Sequence, residues 1–326
     1  MKSKIYIKGI VCLLFLLVII IFSAESLVGA LNGIKICYSI IVPSIFPLTV
    51  VSLMLYESNI LKEYSNLTIY FMSLISGFPV AAKLIEGAYN NGNISKRNAE
   101  LMLCYCLNSA PAFIVSSVGV GILLDIKLGF MFLISNFIAS LILMLITIPF
   151  KETITSTKCT TRENKSFSDA FVKSTYDATN TMLSICGFIV LFSAIIEILK
   201  SISDEINPLL SFLEITNGIV LADGSVYLIA FLIGFAGLSV HFQILSICKT
   251  LKPRYVLILI SKIIHGILMV IFSKIFIKIF DLSVYTSSSA IRQTYKFSEI
   301  SVFFGIAFIC LSVLFIISVS KEYNKM

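Results

Sequence analysis

A break in the backbone is hardest to accommodate inside an apolar run. This chain carries one at Leu74-Ile75-Ser76-Gly77-Phe78-Pro79-Val80-Ala81-Ala82-Lys83. Pro79 lacks an N–H, and Gly77 relaxes the dihedral limits. Hydrocarbon cannot hydrogen-bond the groups that such a break frees, so the break must be enclosed by protein or face a water-filled cavity. Ser76 suits an N-cap, and Pro79 suits the first turn of a helix that follows. Together they predict a half-helix N-terminus, with free N–H groups and a positive dipole end, inside the membrane. Lys83 lies about one turn further along. Ser76, Gly77, Pro79 and Lys83 thus read as a receptor for an anion, against the plainer alternative of a kinked helix with no ligand.

The rest of the chain agrees that the surroundings are lipid. Of 326 residues, 58% are hydrophobic, and the mean hydropathy is +0.99. Several apolar runs are long enough to cross about 30 Å of hydrocarbon. The expected class is an all-α polytopic membrane protein in contact with the lipid bilayer. The net charge of +7 belongs to loop lysines and arginines that set topology. No basic block is interleaved with aromatics, which argues against a nucleic-acid partner. The eight cysteines are scattered and mostly sit in apolar runs. Cys104 and Cys106 form a close pair, but no second pair or nearby His completes a metal set, so neither metal nor cofactor is expected. The run from Gly9 to Phe22 behind Lys2, Lys4 and Lys8 could be a signal peptide. Phe22 spoils the cleavage region, and an uncleaved anchor is the better reading.

Taken in order, full spans are expected at about 5–24, 33–56, 99–123, 127–149, 169–199, 225–248, 254–280 and 299–319. Residues 67–90 and 205–223 are too interrupted for clean spans. They read as two re-entrant hairpins, with tips at Ser76–Pro79 and near Glu214-Ile215-Thr216-Asn217-Gly218. The span at 99–123 is itself broken at Asn108-Ser109-Ala110-Pro111, and Ser95 is a candidate N-cap before it. With the N-terminus in the cytoplasm, the 91–98 loop, the 150–168 linker, the 249–254 loop and the tail all fall inside. Asp125, Asp204 and Glu205 fall outside. Only Arg292 and Lys296 run against the trend. The domain reading is an anchor at 1–32, a first repeat at 33–149, a cytoplasmic linker at 150–168, a second repeat at 169–280, and an external loop with a last helix at 281–326.

The two halves look alike. Ile134-Ser135-Asn136-Phe137-Ile138-Ala139-Ser140-Leu141 corresponds to Ile260-Ser261-Lys262-Ile263-Ile264-His265-Gly266-Ile267. Upstream, Ala110-Pro111-Ala112-Phe113-Ile114-Val115 corresponds to Ser239-Val240-His241-Phe242-Gln243-Ile244. Each half reads as span, hairpin, broken span, span. Three full crossings per half make the second repeat inverted relative to the first. Inverted repeats with broken helices near the midplane are the architecture of secondary transporters.

Several of these motifs, in this order, resemble the YlbJ/SpoVV sporulation integral membrane proteins. They are Ser76-Gly77-Phe78-Pro79-Val80-Ala81-Ala82-Lys83, Asn108-Ser109-Ala110-Pro111-Ala112-Phe113-Ile114 with Val118-Gly119-Val120-Gly121, Leu213-Glu214-Ile215-Thr216-Asn217-Gly218, and Gly234-Phe235-Ala236-Gly237-Leu238-Ser239-Val240-His241-Phe242-Gln243. The resemblance covers roughly 30–280. Phe78 stands where Tyr is common, and Ala81 where Gly is common. The resemblance implies membership of the nucleoside-recognition, or Gate, group, with an architecture similar to concentrative nucleoside transporters: about eight transmembrane helices plus two re-entrant hairpins in two inverted repeats. It also implies export of dipicolinic acid from the mother cell across the outer forespore membrane, and a possible homo-oligomer. The matched motifs add Asn108, Ser109, Thr216, Asn217 and Ser239 to the candidate substrate-binding residues.

The residues themselves nominate others. Ionisable groups within spans are costly and usually face a cavity or one another. Glu214 is the acid nearest a hairpin tip, as a ligand contact, a coupling-ion site or a cap. His241 and Gln243 lie two apart and cannot share one narrow stripe. Lys262 and His265, three apart, share a helix face. Asp177 and Asn180 could line the path. No metal-spaced His pair, nucleophile elbow or phosphate-cradling loop points to an enzyme. The reading is a transporter of a small anionic aromatic dicarboxylate, whose ring Phe78 and Phe113 could flank. The alternatives are a nucleoside-type carrier, or a non-transporting membrane protein needed for spore cortex or envelope assembly.

Overall fold

The computed structural model describes residues 2–57, 66–152, 166–202 and 207–280. The linker at 153–165 and the expected last loop and span at 281–326 lie outside these residues. Everything described is helix or short connection, with no strand. Five helical stretches are long and apolar enough to cross a bilayer: 23–55, 126–150, 167–202, 226–247 and 255–280. The protein is therefore a polytopic integral membrane protein. Helix α13 (Tyr255–Phe280) is built inside out relative to a soluble helix. Ile260, Ile264, Ile267 and Ile271 lie on its exposed face, while Ser261, Lys262, His265 and Ser273 are buried. Lipid accepts the isoleucines, and only the protein interior offers partners to the polar set.

The N-terminal part departs from the expected turn between segments at 5–24 and 33–56. Helix α1 (Lys2–Ile21) ends at Phe22, and residues 25–32 are helical. Helix α2 (Ser23–Ile36), a π-turn over Cys37–Ile41 and α3 (Val42–Glu57) then form one long run. Its partner is α8 (Phe167–Ile202). The reason is the spacing Gly29-Ala30-Leu31-Asn32-Gly33, which lets two backbones approach closely. A Cβ placed at Gly29 would lie 2.5 Å from the Ser193 carbonyl oxygen, and one at Gly33 would lie 2.8 Å from Val190 Cα. Further along, Cys37 Sγ lies 3.8 Å from the Cys186 carbonyl, and Lys173 pairs with Glu57 at 2.9 Å. The register falls on α8 as it rises on the first run, so the two are antiparallel.

Between these long helices sit short ones. Helix α4 (Asn66–Ser76) and α5 (Phe78–Asn90) are separated by Gly77 alone. Helix α6 (Lys96–Cys106) opens on the Ser95 hydroxyl, which accepts from the Asn98 N–H at 3.2 Å. It is followed by non-helical residues and then a π-helical segment, Phe113–Ile122. Helix α7 (Ile126–Thr147) opens on Asp125, whose carboxylate accepts from the Lys127 N–H at 2.7 Å. In the second half, α9 (Asn207–Leu210) and α10 (Ile215–Leu221) flank a turn. Helix α11 (Val226–Phe235) gives way at Ala236 to α12 (Gly237–Ile247). Helices of 10 to 13 residues reach only about 15–20 Å. None of them spans hydrocarbon alone.

Polar side chains on α5 and α6 gather three loops. Glu86 accepts from the N–H groups of Thr250 (2.7 Å) and Leu251 (3.2 Å). Glu100 accepts from the Arg254 N–H at 3.1 Å and pairs with its guanidinium at 2.7 Å. Asn98 Nδ2 donates to the Glu152 carbonyl at 3.0 Å, and Arg97 Nε donates to the Phe150 carbonyl at 2.8 Å. The 91–97 loop, the 150–152 stretch and the 248–254 loop thus meet at one end of the bundle. These are three regions that the distribution of positive charge assigns to a single side.

Gly29→Leu should overpack the α2–α8 contact and lower stability by about 1–3 kcal/mol. Gly187 on α8 has nothing within 4 Å of an added Cβ. Gly187→Ala should therefore be neutral or gain about 0.5–1 kcal/mol from helix propensity. Thermal unfolding in detergent reads both. A Gly29→Leu melt equal to the parent's would overturn the close-approach account.

Candidate functional site

Each half places a helix start against a second helix start. In the first half, Gly77 holds φ at +78°, a left-handed value that glycine adopts without strain. A Cβ there would lie 2.9 Å from Ala110 Cβ. The α5 terminus therefore abuts the helical turn that begins at Pro111. In the second half, a Cβ on Gly237 would lie 2.9 Å from the Ile215 nitrogen. There the starts of α10 and α12 meet. Sequence reading anticipated the breaks at 77, 108–111 and 214. That they touch pairwise is added by the fold.

A cavity of about 30 Å³, room for a water or two, lies where the two pairs face each other. Ser76, Gly77, Phe78 and Pro79 form one wall, with Ala110 and Phe113 beside them. Glu214, Ile215 and Thr216 face them, and Val240 and Gln243 come from α12. Ile41, Ile45, Ile185 and Ile189 of the long helix pair close the apolar side. Its lining is largely apolar, with a few converging polar groups.

The two halves contribute differently. In the second, the helix starts are already satisfied from within. The Glu214 carboxylate accepts from the N–H groups of Thr216 (3.0 Å) and Asn217 (2.8 Å), and from Asn217 Nδ2 (2.9 Å). Asn217 Nδ2 also reaches Ser193 Oγ at 2.7 Å, which anchors α10 to α8. The first N–H groups of α12, on Leu238 and Ser239, donate to the carbonyls of Phe212 and Leu213, both at 2.9 Å. In the first half the cap residue is Gly77, which has no side chain to cap with. Ser76 is 2% exposed and its hydroxyl has no partner. The uncapped helix start is therefore on the α5 side of the cavity, and the resident carboxylate is on the other, where the Thr216 hydroxyl also lacks a partner.

Of the fourteen residues nominated from sequence, six line this cavity: Ser76, Gly77, Pro79, Glu214, Thr216 and Gln243. Asn217 supports it through Glu214. Lys83 is turned elsewhere, its Nζ donating to Thr181 Oγ1 at 2.6 Å on α8. The start of α5 consequently offers backbone and hydroxyl groups to the cavity, without the lysine. Asp177 contributes its carbonyl to the same contact, at 3.4 Å. Ser109 donates to the Ile233 carbonyl at 3.2 Å, pinning the first broken segment to α11. His241 presents Nε2 to the Phe235 carbonyl at 3.0 Å, so that nitrogen carries the proton. Its ring packs on Phe235 and Tyr255. Ser239 is buried without a side-chain partner. Asn108 belongs to a second polar cluster. It donates to the Tyr105 carbonyl at 3.0 Å and to Ser140 Oγ at 3.1 Å. Lys262 donates to the Leu107 carbonyl and lies 3.2 Å from His265 Nδ1.

Sequence reasoning missed Glu86 and Glu100 as loop anchors. It treated the 91–98 and 249–254 loops as charge markers alone. Their signal was an acid near the end of a helix, opposite a loop rich in free N–H groups.

The chain is similar to the sporulation integral membrane protein YlbJ of Bacillus subtilis (strain 168). The two are 23% identical over 305 residues, covering 74% of this chain and 75% of that protein. No family model matches the chain, and no solved structure matches it.

Gly77→Ala forces a side chain into a left-handed backbone and onto Ala110. A cost of about 1–3 kcal/mol is expected from the strained dihedral. Gly92 also has positive φ, but an added Cβ there meets nothing within 4 Å. Gly92→Ala should cost less, since it bears the dihedral cost alone. Equal unfolding temperatures for the two variants would show that the Gly77–Ala110 contact carries no constraint.

Proposed function

We propose that this protein is a secondary transporter of a sporulation membrane and that it moves a small aromatic dicarboxylate, dipicolinate, through the cavity between the paired helix starts. The observation that carries the reading is the open start of α5. Its first-turn N–H groups, a positive dipole end and the unpartnered Ser76 hydroxyl all front a cavity that Phe78 and Phe113 also line. A carboxylate is the ligand that such a terminus favours, and the side chains of Phe78 and Phe113 suit an aromatic ring. The Glu214 carboxylate on the start of α10 is an internal example of the same recognition.

In this reading 33–149 and 169–280 are two inverted repeats, and 67–90 and 205–223 are re-entrant hairpins within eight crossings. The gathered loops at 91–97, 150–152 and 248–254 mark the cytoplasmic side. The likeness to YlbJ supports a role in sporulation. The outer forespore membrane, the Gate-group architecture and a homo-oligomer belong to the same proposal. A nucleoside-type carrier is the second reading, because Gln243 in the wall offers an amide to a base edge.

Purified protein in liposomes, with labelled dipicolinate and labelled uridine on the outside, separates these readings. Dipicolinate entry, with no competition from uridine, is expected. Ser76→Ala should weaken dipicolinate binding about threefold to tenfold, the worth of one ordinary hydrogen bond of roughly 0.5–1.5 kcal/mol. Lys83→Met should leave affinity within about twofold, because its ammonium is engaged by α8. Pro79→Ala should lose flux, because an N–H restored within that turn lets α4 and α5 run together and closes the donors. Uridine entry without dipicolinate would favour the second reading. Entry of neither would leave a non-transporting membrane protein.

A further inference from the structure

Away from the cavity, α13 carries a cation that the transport path just described does not use. Lys262 is 1% exposed, and so is His265. Lys262 Nζ donates to the Leu107 carbonyl at the C-terminal end of α6, where the helix dipole is negative. Its second neighbour is His265 Nδ1 at 3.2 Å, which must accept while Lys262 is an ammonium. Among the described residues, no carboxylate pairs with Lys262. The acid on α6, Glu100, is held by Arg254. The other titratable groups around the pair are the Cys104 thiol on α6 and His241 on α12, the latter tied to the Phe235 carbonyl. Helix α7 offers Asn136, whose side-chain nitrogen and oxygen both lack partners. His265 lies by the Asn136 backbone, and its Nε2 has no hydrogen-bond partner. Helix α11 brings only the half-exposed Tyr227.

Two charges cannot coexist here. A buried ammonium without a counter-ion is already costly, and an imidazolium 3.2 Å away would add like-charge repulsion. Between them the two bases hold one proton or none. The acceptor of the lysine hydrogen bond, Leu107, begins the non-helical stretch that ends at Ala110 in the cavity wall. Losing the proton turns a charge-assisted hydrogen bond into a neutral one and so weakens the grip on Leu107. Gaining it restores the grip.

We propose that Lys262 and His265 form a one-proton site that couples the broken segment after α6, and through it the cavity, to the proton gradient. Its consequence for flux rests on the transport reading above. The proton comes from water on one side and leaves to water on the other, with no other co-reactant.

The test uses the full chain in liposomes loaded with a pH-sensitive dye. A gradient of one pH unit should drive dipicolinate accumulation of up to about tenfold with matching proton movement, the equivalence of one pH unit and a tenfold ratio. Lys262→Arg is the deciding variant. An arginine stays charged, so it can still cap Leu107 but cannot release a proton. Loss of gradient-driven accumulation in Lys262→Arg and in His265→Gln, with substrate exchange at equal pH retained in at least one of them, is the expected result. Gradient-driven accumulation in Lys262→Arg at the parent's level would overturn the proposal and leave Lys262 as a cap. If the parent moves no substrate at all, the transport reading fails by itself. The pair is then judged by unfolding temperature against pH in detergent. A pH dependence in the parent that both variants flatten supports the one-proton site. Identical profiles overturn it.

Discussion

The constraint beneath this structure is that a backbone N–H or C=O in hydrocarbon must find a partner within the protein. A continuous helix meets it without help. The interrupted segments here, at Gly77, at 107–110, near Glu214 and at Ala236, do not, and each is met by a different local solution. The carbonyls of Phe212 and Leu213 receive the first N–H groups of α12. Glu214 receives those of α10. Lys262 answers the carbonyl end of α6. At the start of α5 no side chain closes the account, and a cavity lies there instead. That single asymmetry separates a scaffold of kinked helices from a candidate binding site.

The asymmetry also sets the chemistry. A half-helix start favours negative charge, with the strongest effect within the first turn. The protein fills one such position with its own carboxylate and leaves its counterpart open. In the proposed carrier, a lysine in the cavity would bind anions more tightly, but tight binding would slow release. Backbone donors and one hydroxyl give directional recognition at modest strength. The engagement of Lys83 by Thr181 is consistent with that balance, because it moves the nearest cation out of contact.

Much of this was legible before the fold was known, for a physical reason. Gly77, Pro79 and Pro111 are residues whose backbone effects do not depend on neighbours, so they mark breaks from sequence alone. Ser95 announces a helix start for the same reason. What could not be read was partnership across elements. Gly29 and Gly33 are ordinary helix residues until α8 lies against them, and the turn expected at 25–32 disappeared because that contact rewards a straight helix. The direction of Lys83 was similarly hidden. A four-carbon stem reaches several places, and its target is chosen by whichever oxygen α8 presents.

The same limit bears on the inner cluster. Lys262 and His265 were visible as an i, i+3 pair on one face, which fixes their nearness to each other and nothing about their third partner. That partner proved to be Leu107, a carbonyl freed by the break in the other half of the chain. Each half therefore supplies what the other lacks: the first an unpaired carbonyl at its interrupted helix, the second a cation on its last described helix. The exchange runs through Asn108, Ser109 and Ala110, which reach Ser140, the Ile233 carbonyl and the cavity wall in turn. Three consecutive residues with three different anchors make a short segment that runs between the cavity wall and the Lys262–His265 pair. In the proposed coupling such a segment is a natural moving part, because it can shift without unpacking a long helix.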